Sequence, residues 1–137
     1  MSNLRFIYVV ESIVFLLWCK FLIMVCPYRW YRDSFGYLHS ETLYENVGMD
    51  LKTVKLIQCT IESVVKYIPF SRCLDQAMTA QRMLLRRNHS TTIYFGMLKQ
   101  KNNRWIGHAW VRCGDVWVVG FHENICYGIS GMCALVA

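Results

Sequence analysis

Between residues 52 and 68 apolar side chains return every three or four positions: Val54, Ile57, Ile61, Val64, Val65 and Ile68. That spacing draws one buried stripe along a helix, and Pro69 stops it. A second helix opens at once. Ser71 stands where an N-cap belongs, which puts Cys73 in the first turn. Leu74, Ala77, Met78, Gln81, Leu84 and Leu85 mark one face, and Arg82, Arg86, Arg87 and Asn88 finish it with basic charge at the negative end of the dipole. Beyond Ser90 the period changes to two. Residues 91–98, 105–113 and 116–121 read as strands from their β-branched and aromatic content. Residues 99–103 turn the first pair and Gly114-Asp115 the second, as a tight hairpin. Residues 122–137 read as a mixed tail with turns at Gly128 and Gly131.

Residues 6–28 (FIYVVESIVFLLWCKFLIMVCPY) are long and apolar enough to tempt a membrane-spanning reading. Glu11 and Lys20 interrupt them, and the small-residue cleavage site of a signal peptide is absent. The plainer expectation is a helix covered nearly all round by its own domain. The sharper one adds an apolar face that docks a partner protein or lies on a membrane, and of these we favour packing plus a partner, well ahead of a spanning helix. Pro27 ends the element, and Tyr28-Arg29-Trp30-Tyr31-Arg32 forms an aromatic–basic collar. Residues 33–51 read as a connector with one short helical turn. Helices followed by an antiparallel meander give an α+β class. The expected organisation is a single domain over 1–137: an apolar helix and connector over 1–51, and a core over 52–137.

Composition sharpens this picture. The chain has 137 residues, 55% of them hydrophobic, and a net charge of +6. The charge favours acidic partners, but no basic run interleaves with aromatics, so nucleic acid is not expected. Seven cysteines are an odd number in a chain with no secretory signal, which points to a reducing cytoplasm. No CxxC occurs, so neither a metal site nor a cofactor is expected, and most of the cysteines read as small buried hydrophobes.

One pair stands apart. Cys73 opens a helix, whose unpaired N–H groups and partial positive charge favour a thiolate. His108, 35 residues on, lies in a strand as Gly107-His108-Ala109-Trp110-Val111. A nucleophilic cysteine with a histidine base from another element is the minimum apparatus of thiol catalysis. Against that stand a buried helix cysteine and a sheet histidine satisfied by a carbonyl. Trp110 shares a strand face with His108 and serves equally as cleft wall or core. Gln76 reads better as a solvated helix position than as a group polarising the site.

Taken together, Pro69-Phe70-Ser71-Arg72-Cys73-Leu74-Asp75-Gln76-Ala77, Leu84-Leu85-Arg86-Arg87, Tyr94-Phe95-Gly96-Met97 and His108-Ala109-Trp110-Val111 resemble the transglutaminase-like cysteine peptidases of lasso-peptide biosynthesis. Those are bacterial enzymes that remove the leader from a ribosomally made precursor. The resemblance covers residues 68–119, more loosely the N-terminal helix. It implies a transglutaminase-like, papain-like core, Cys73 as nucleophile and His108 as general base. It also implies a stand-alone peptidase half working with a separate leader-recognition protein, the precursor leader peptide and a macrolactam synthetase. The place of work is then cytoplasmic, with peripheral contact to the inner membrane through 6–28 in reserve. The alternative is a catalytically impaired scaffold of the same fold.

One position departs from the pattern. The resemblance implies an aspartate on the strand after the histidine strand. With the turn at residues 113–115, His108 is expected opposite residues 119–121, and the matching position is Gly120. Asp115 belongs to the turn. His122 and Glu123 follow Gly120 and are the remaining side chains to orient His108.

Overall fold

The sheet and its helices assemble around the stripe described above. The computed structural model describes residues 2–44, 48–121 and 128–137. Among these, α1 (Ser2–Val25) leads through a short α2 (Tyr28–Tyr31) and a 3-10 turn (Arg32–Phe35) to β1 (Tyr37–Leu38). Then come α3 (Leu51–Val65), α4 (Cys73–Leu85), β2 (Thr91–Lys99), β3 (Trp105–Cys113), β4 (Val116–Val119) and β5 (Gly128–Leu135). The class is α+β: four α-helices and one antiparallel sheet of five strands in the order β1-β5-β2-β3-β4.

α3 begins where Asp50 accepts the Lys52 backbone N–H at 3.1 Å and the Thr53 hydroxyl at 2.7 Å. This caps donors that the first turn leaves unpaired. Val54, Ile57, Ile61 and Val64 of its stripe are buried. They meet Ala77, Met78 and Leu84 of α4 and Ile93, Ala109 and Val111 of the sheet in one core.

Two expectations yield to the structure. Within the tail Gly128–Leu135 is a strand, β5, which inserts between β1 and β2, so the sheet is not a simple meander. Its glycines are strand residues: Gly131 lies opposite Phe95, and a Cβ there would stand 3.9 Å from the Phe95 ring. Gly128 lies opposite Met97. The collar, for its part, folds as α2 and the 3-10 turn and delivers Phe35 into the core.

α1 is not covered all round. Tyr8, Glu11, Ser12, Leu16 and Cys19 are its buried residues, whereas Phe6, Ile7, Val10, Val14, Leu17, Trp18, Phe21, Met24 and Val25 are exposed. The two charges that interrupt its apolar run face inward. Glu11 takes both arms of the Arg87 guanidinium, at 2.9 and 2.6 Å, and Arg87 Nε donates to the Tyr8 hydroxyl at 3.0 Å. Arg87 is thus a tie between α4 and α1, beyond the dipole role read from sequence.

A buried cation holds the segment before α3. Arg112 is fully buried and donates to the carbonyls of Thr42, Leu43 and Gly114 and to the Tyr94 hydroxyl, under the Tyr44 ring. It fastens the segment before α3 onto β3.

A buried carboxylate that loses its bidentate partner keeps its desolvation cost without the compensating contact. Arg87→Met is therefore expected to destabilise the protein by about 3 kcal/mol, read as a lowered midpoint in urea unfolding.

Candidate active site

Cys73 is the first residue of α4. The cap is Arg72 rather than Ser71: the Ser71 hydroxyl donates instead to the Ile68 carbonyl at 2.9 Å. The Arg72 backbone N–H is satisfied by the Asp75 carboxylate at 3.0 Å, the returning half of a capping box. Asp75 is almost wholly buried, and Lys20 of α1 brings its ammonium to 3.5 Å. The helix start that carries the thiol is therefore fixed by one carboxylate, whose charge α1 balances.

His108 lies on β3 directly opposite Gly96 of β2, so no side chain crowds it from that neighbour. Its Nε2 is hydrogen-bonded to the Gly120 carbonyl oxygen. A carbonyl only accepts, so Nε2 carries the proton and the neutral ring holds its lone pair at Nδ1. The ring stacks on Trp110 at 6.0 Å between centroids, and Trp110 stacks on Tyr94 at 5.8 Å. This aromatic column backs the imidazole.

Both groups line one open cleft of about 950 Å³. Lys20, Ile23 and Met24 of α1 form one wall, Pro69 and Phe70 the lip before α4, and Phe95, Gly96, Met97 and Gly107 the sheet side. A thiol at a helix start and an imidazole of fixed tautomer facing one cleft are the groups that acyl transfer through a thioester requires. The walls are largely apolar, which suits an extended peptide with hydrophobic side chains.

The remaining candidates fall elsewhere. Trp110 stands behind His108 and is not among the residues lining the cleft. Gln76 donates to Ser71 Oγ at 3.4 Å and lines a separate cavity beside β4. His122 and Glu123 lie outside the described residues. The expected hairpin register also shifts. A bulge between Val111 and Arg112 sets Val111 opposite Val119, and Gly120 comes to lie against Ala109 and Trp110. Its carbonyl reaches His108 diagonally. Lys20 and Asp75 were missed as site residues, although an acid three residues after a helix cap was a readable signal for the second.

Cys19, Cys113 and Cys133 separate from Cys73 by burial. Burial pushes the thiols of Cys19 and Cys113 up to about 11, and that of Cys133 upward as well. In native protein near neutral pH, iodoacetamide is expected to spare Cys19 and Cys113 and to label exposed Cys59, read by peptide mass spectrometry. Because these folded thiols titrate above the ordinary thiol value of 9.0, their contribution to stability is complete below pH 9. It is lost as pH rises toward about 11, since the unfolded chain releases those protons first.

The family model of the transglutaminase-like superfamily matches residues 23–126. The chain belongs to the transglutaminase-like superfamily. The matched region holds all of α4, the His108 strand and the cleft wall from Ile23 onward. No curated protein and no solved structure matches the chain.

Within that family frame, replacing Gly120 by aspartate looks like a repair, and the backbone argues otherwise. Gly120 has φ +80°, and a Cβ there would collide with the Ala109 carbonyl and stand 3.1 Å from Trp110 Cα. Gly120→Asp is expected to lower the thermal midpoint by several degrees, as left-handed strain and a backbone clash dictate.

Proposed function

We propose that the chain is a cysteine peptidase that removes the leader from a lasso-peptide precursor. Cys73 is the nucleophile and His108 the general base. Support comes above all from one observation: Cys73 at the start of α4 and His108, with Nε2 engaged by the Gly120 carbonyl, line the same cleft. The sequence motifs around both residues add the substrate class.

In this reading His108 Nδ1 takes the thiol proton, and the thiolate attacks the carbonyl of the leader–core bond. The imidazolium then protonates the leaving amine, which is the new N-terminus of the core peptide. The leader remains as a thioester on Cys73 until water, activated by the same imidazole, releases its carboxylate. The Cys73 backbone N–H, at the first turn, is the first candidate to bind the oxyanion. A separate recognition protein presents the leader, and a macrolactam synthetase receives the core. The working place is the cytoplasm.

A second reading keeps the fold and drops the chemistry. The group at Nε2 is a neutral carbonyl, which supports an imidazolium less than a carboxylate does. On this reading the chain is a scaffold within the same maturation complex.

Cleavage of precursor by the chain with its recognition protein, followed by mass spectrometry, separates the two. The peptidase reading predicts loss of about a thousandfold or more for Cys73→Ala and for His108→Ala. The scaffold reading predicts that neither substitution changes the products. Thiol alkylation against pH supplies the companion test: in a working pair, His108→Ala slows the alkylation of Cys73 below pH 8.5, the usual thiol value of about that size.

A further inference from the structure

We infer that the outward face of α1 is a docking surface for an anionic lipid membrane, on which the protein lies peripherally. α1 is amphipathic in the reverse sense of an ordinary surface helix. The two charges within its apolar run, Glu11 and Lys20, are held against α4 by Arg87 and Asp75. Outward, from residue 6 to residue 25, every exposed side chain is apolar. The strip runs about 29 Å along the helix at roughly 1.5 Å per residue. Trp18 and Phe21 stack on it at 5.7 Å.

Charge and chemistry choose the occupant. Residues 2–32 carry four basic side chains, Arg5, Lys20, Arg29 and Arg32, against the single acid Glu11, which is buried. Arg5 lies at one end of the strip, and exposed Tyr28, Arg29, Trp30 and Arg32 lie beyond the other. Basic side chains with tryptophan and tyrosine flanking an apolar strip match the headgroup level of an acidic bilayer. A shallow groove of about 340 Å³ on the same face is lined by Phe6, Ile7, Val10, Val14 and Phe15, with Glu11 and Arg86, paired at 3.3 Å, at its border. That is room for acyl carbon. A protein partner fits less well, since interfaces carry a hydrogen bond per 100–200 Å² or so, and the strip offers no polar side chain to fix register. A spanning placement would strip α1 of the Glu11–Arg87 and Lys20–Asp75 contacts, so the helix lies in the surface.

The consequence is positional. Lys20, Ile23 and Met24 belong to α1 and to the cleft wall at once. Met24 is 73% exposed and continues the strip to the cleft mouth. A seated α1 brings that mouth to the lipid surface.

Flotation of the purified full chain with vesicles tests this without any cleavage assay, so it stands or falls apart from the peptidase reading. Vesicles of phosphatidylcholine with phosphatidylglycerol are expected to carry the protein upward. Phosphatidylcholine alone, or added salt, is expected to carry less. The triple variant Val14→Ser, Trp18→Ser, Phe21→Ser replaces exposed side chains only, and an unchanged thermal midpoint verifies its fold. It is expected to lose about tenfold or more in partitioning, and Arg29→Glu with Arg32→Glu is expected to erase the preference for anionic lipid. Wild type that stays at the bottom of the gradient, or a triple variant that floats as well as wild type, overturns the inference. So does a wild type that ignores vesicles but is a dimer in solution while the triple variant is a monomer, which would assign the face to a second copy.

Discussion

The contact on which the architecture turns is the Glu11–Arg87 pair. A carboxylate in the middle of an apolar helix cannot be left dry and unpaired. Arg87, at the end of α4, meets it with two donors and reaches Tyr8 besides. That decides which way α1 faces. With Tyr8, Glu11, Ser12, Leu16 and Cys19 on the buried face, the 3.6-residue period puts Val10, Val14, Leu17 and Phe21 on the opposite one. Lys20 also comes to the start of α4, where Asp75 holds the cap of the helix that carries Cys73. One pair at the far end of α4 thus sets the rotation that brings the cleft wall to the thiol at its near end.

The histidine side rests on a different constraint. The neighbour of the imidazole is a backbone carbonyl, and a carbonyl is placed by the chain path alone. Here the path is a bulge in the β3–β4 ladder followed by Gly120 in a left-handed conformation that only glycine adopts without strain. An aspartate at position 120 and this geometry are alternatives, since the Cβ that would carry its carboxylate has no space.

Much of this was legible in the sequence, and the failures share a cause. α3 came from periodicity, because it buries one regular stripe, and β2 and β3 came from their β-branched and aromatic content, which suits strands buried over consecutive residues. β5 was lost because two glycines look like turns until Phe95 lies across the ladder from one of them. The Gly120 register was off because a bulge leaves no mark in the pattern of side chains. Glu11 and Lys20 were read as breaks in an apolar helix, when their partners, Arg87 and Asp75, lie dozens of residues away. Arg112 escaped notice for the same reason: its partners on the 41–44 segment and Tyr94 are gathered only by the fold. Pairings across long sequence separations are what one-dimensional reading cannot supply. The pairing of Cys73 with His108 in one cleft was suggested by motif, and Lys20 and Asp75 appear in that cleft only through the tertiary structure.

The two faces of α1 belong to one design problem. An apolar cleft beside a helix start must be walled by something apolar, and α1 supplies Ile23 and Met24. A helix apolar enough to wall that cleft and to pack against α3 and α4, yet turning Glu11 and Lys20 inward, leaves only apolar side chains exposed from residue 6 to residue 25. Exposing that strip to water is costly at roughly 25 cal/mol per Å² of apolar area. Moving Glu11 and Lys20 outward would make the helix soluble on that side, at the loss of both contacts that orient it. The protein keeps the contacts, and the exposed strip is the physical consequence. A surface that covers it therefore also covers the approach to Cys73 and His108 from the side of Met24.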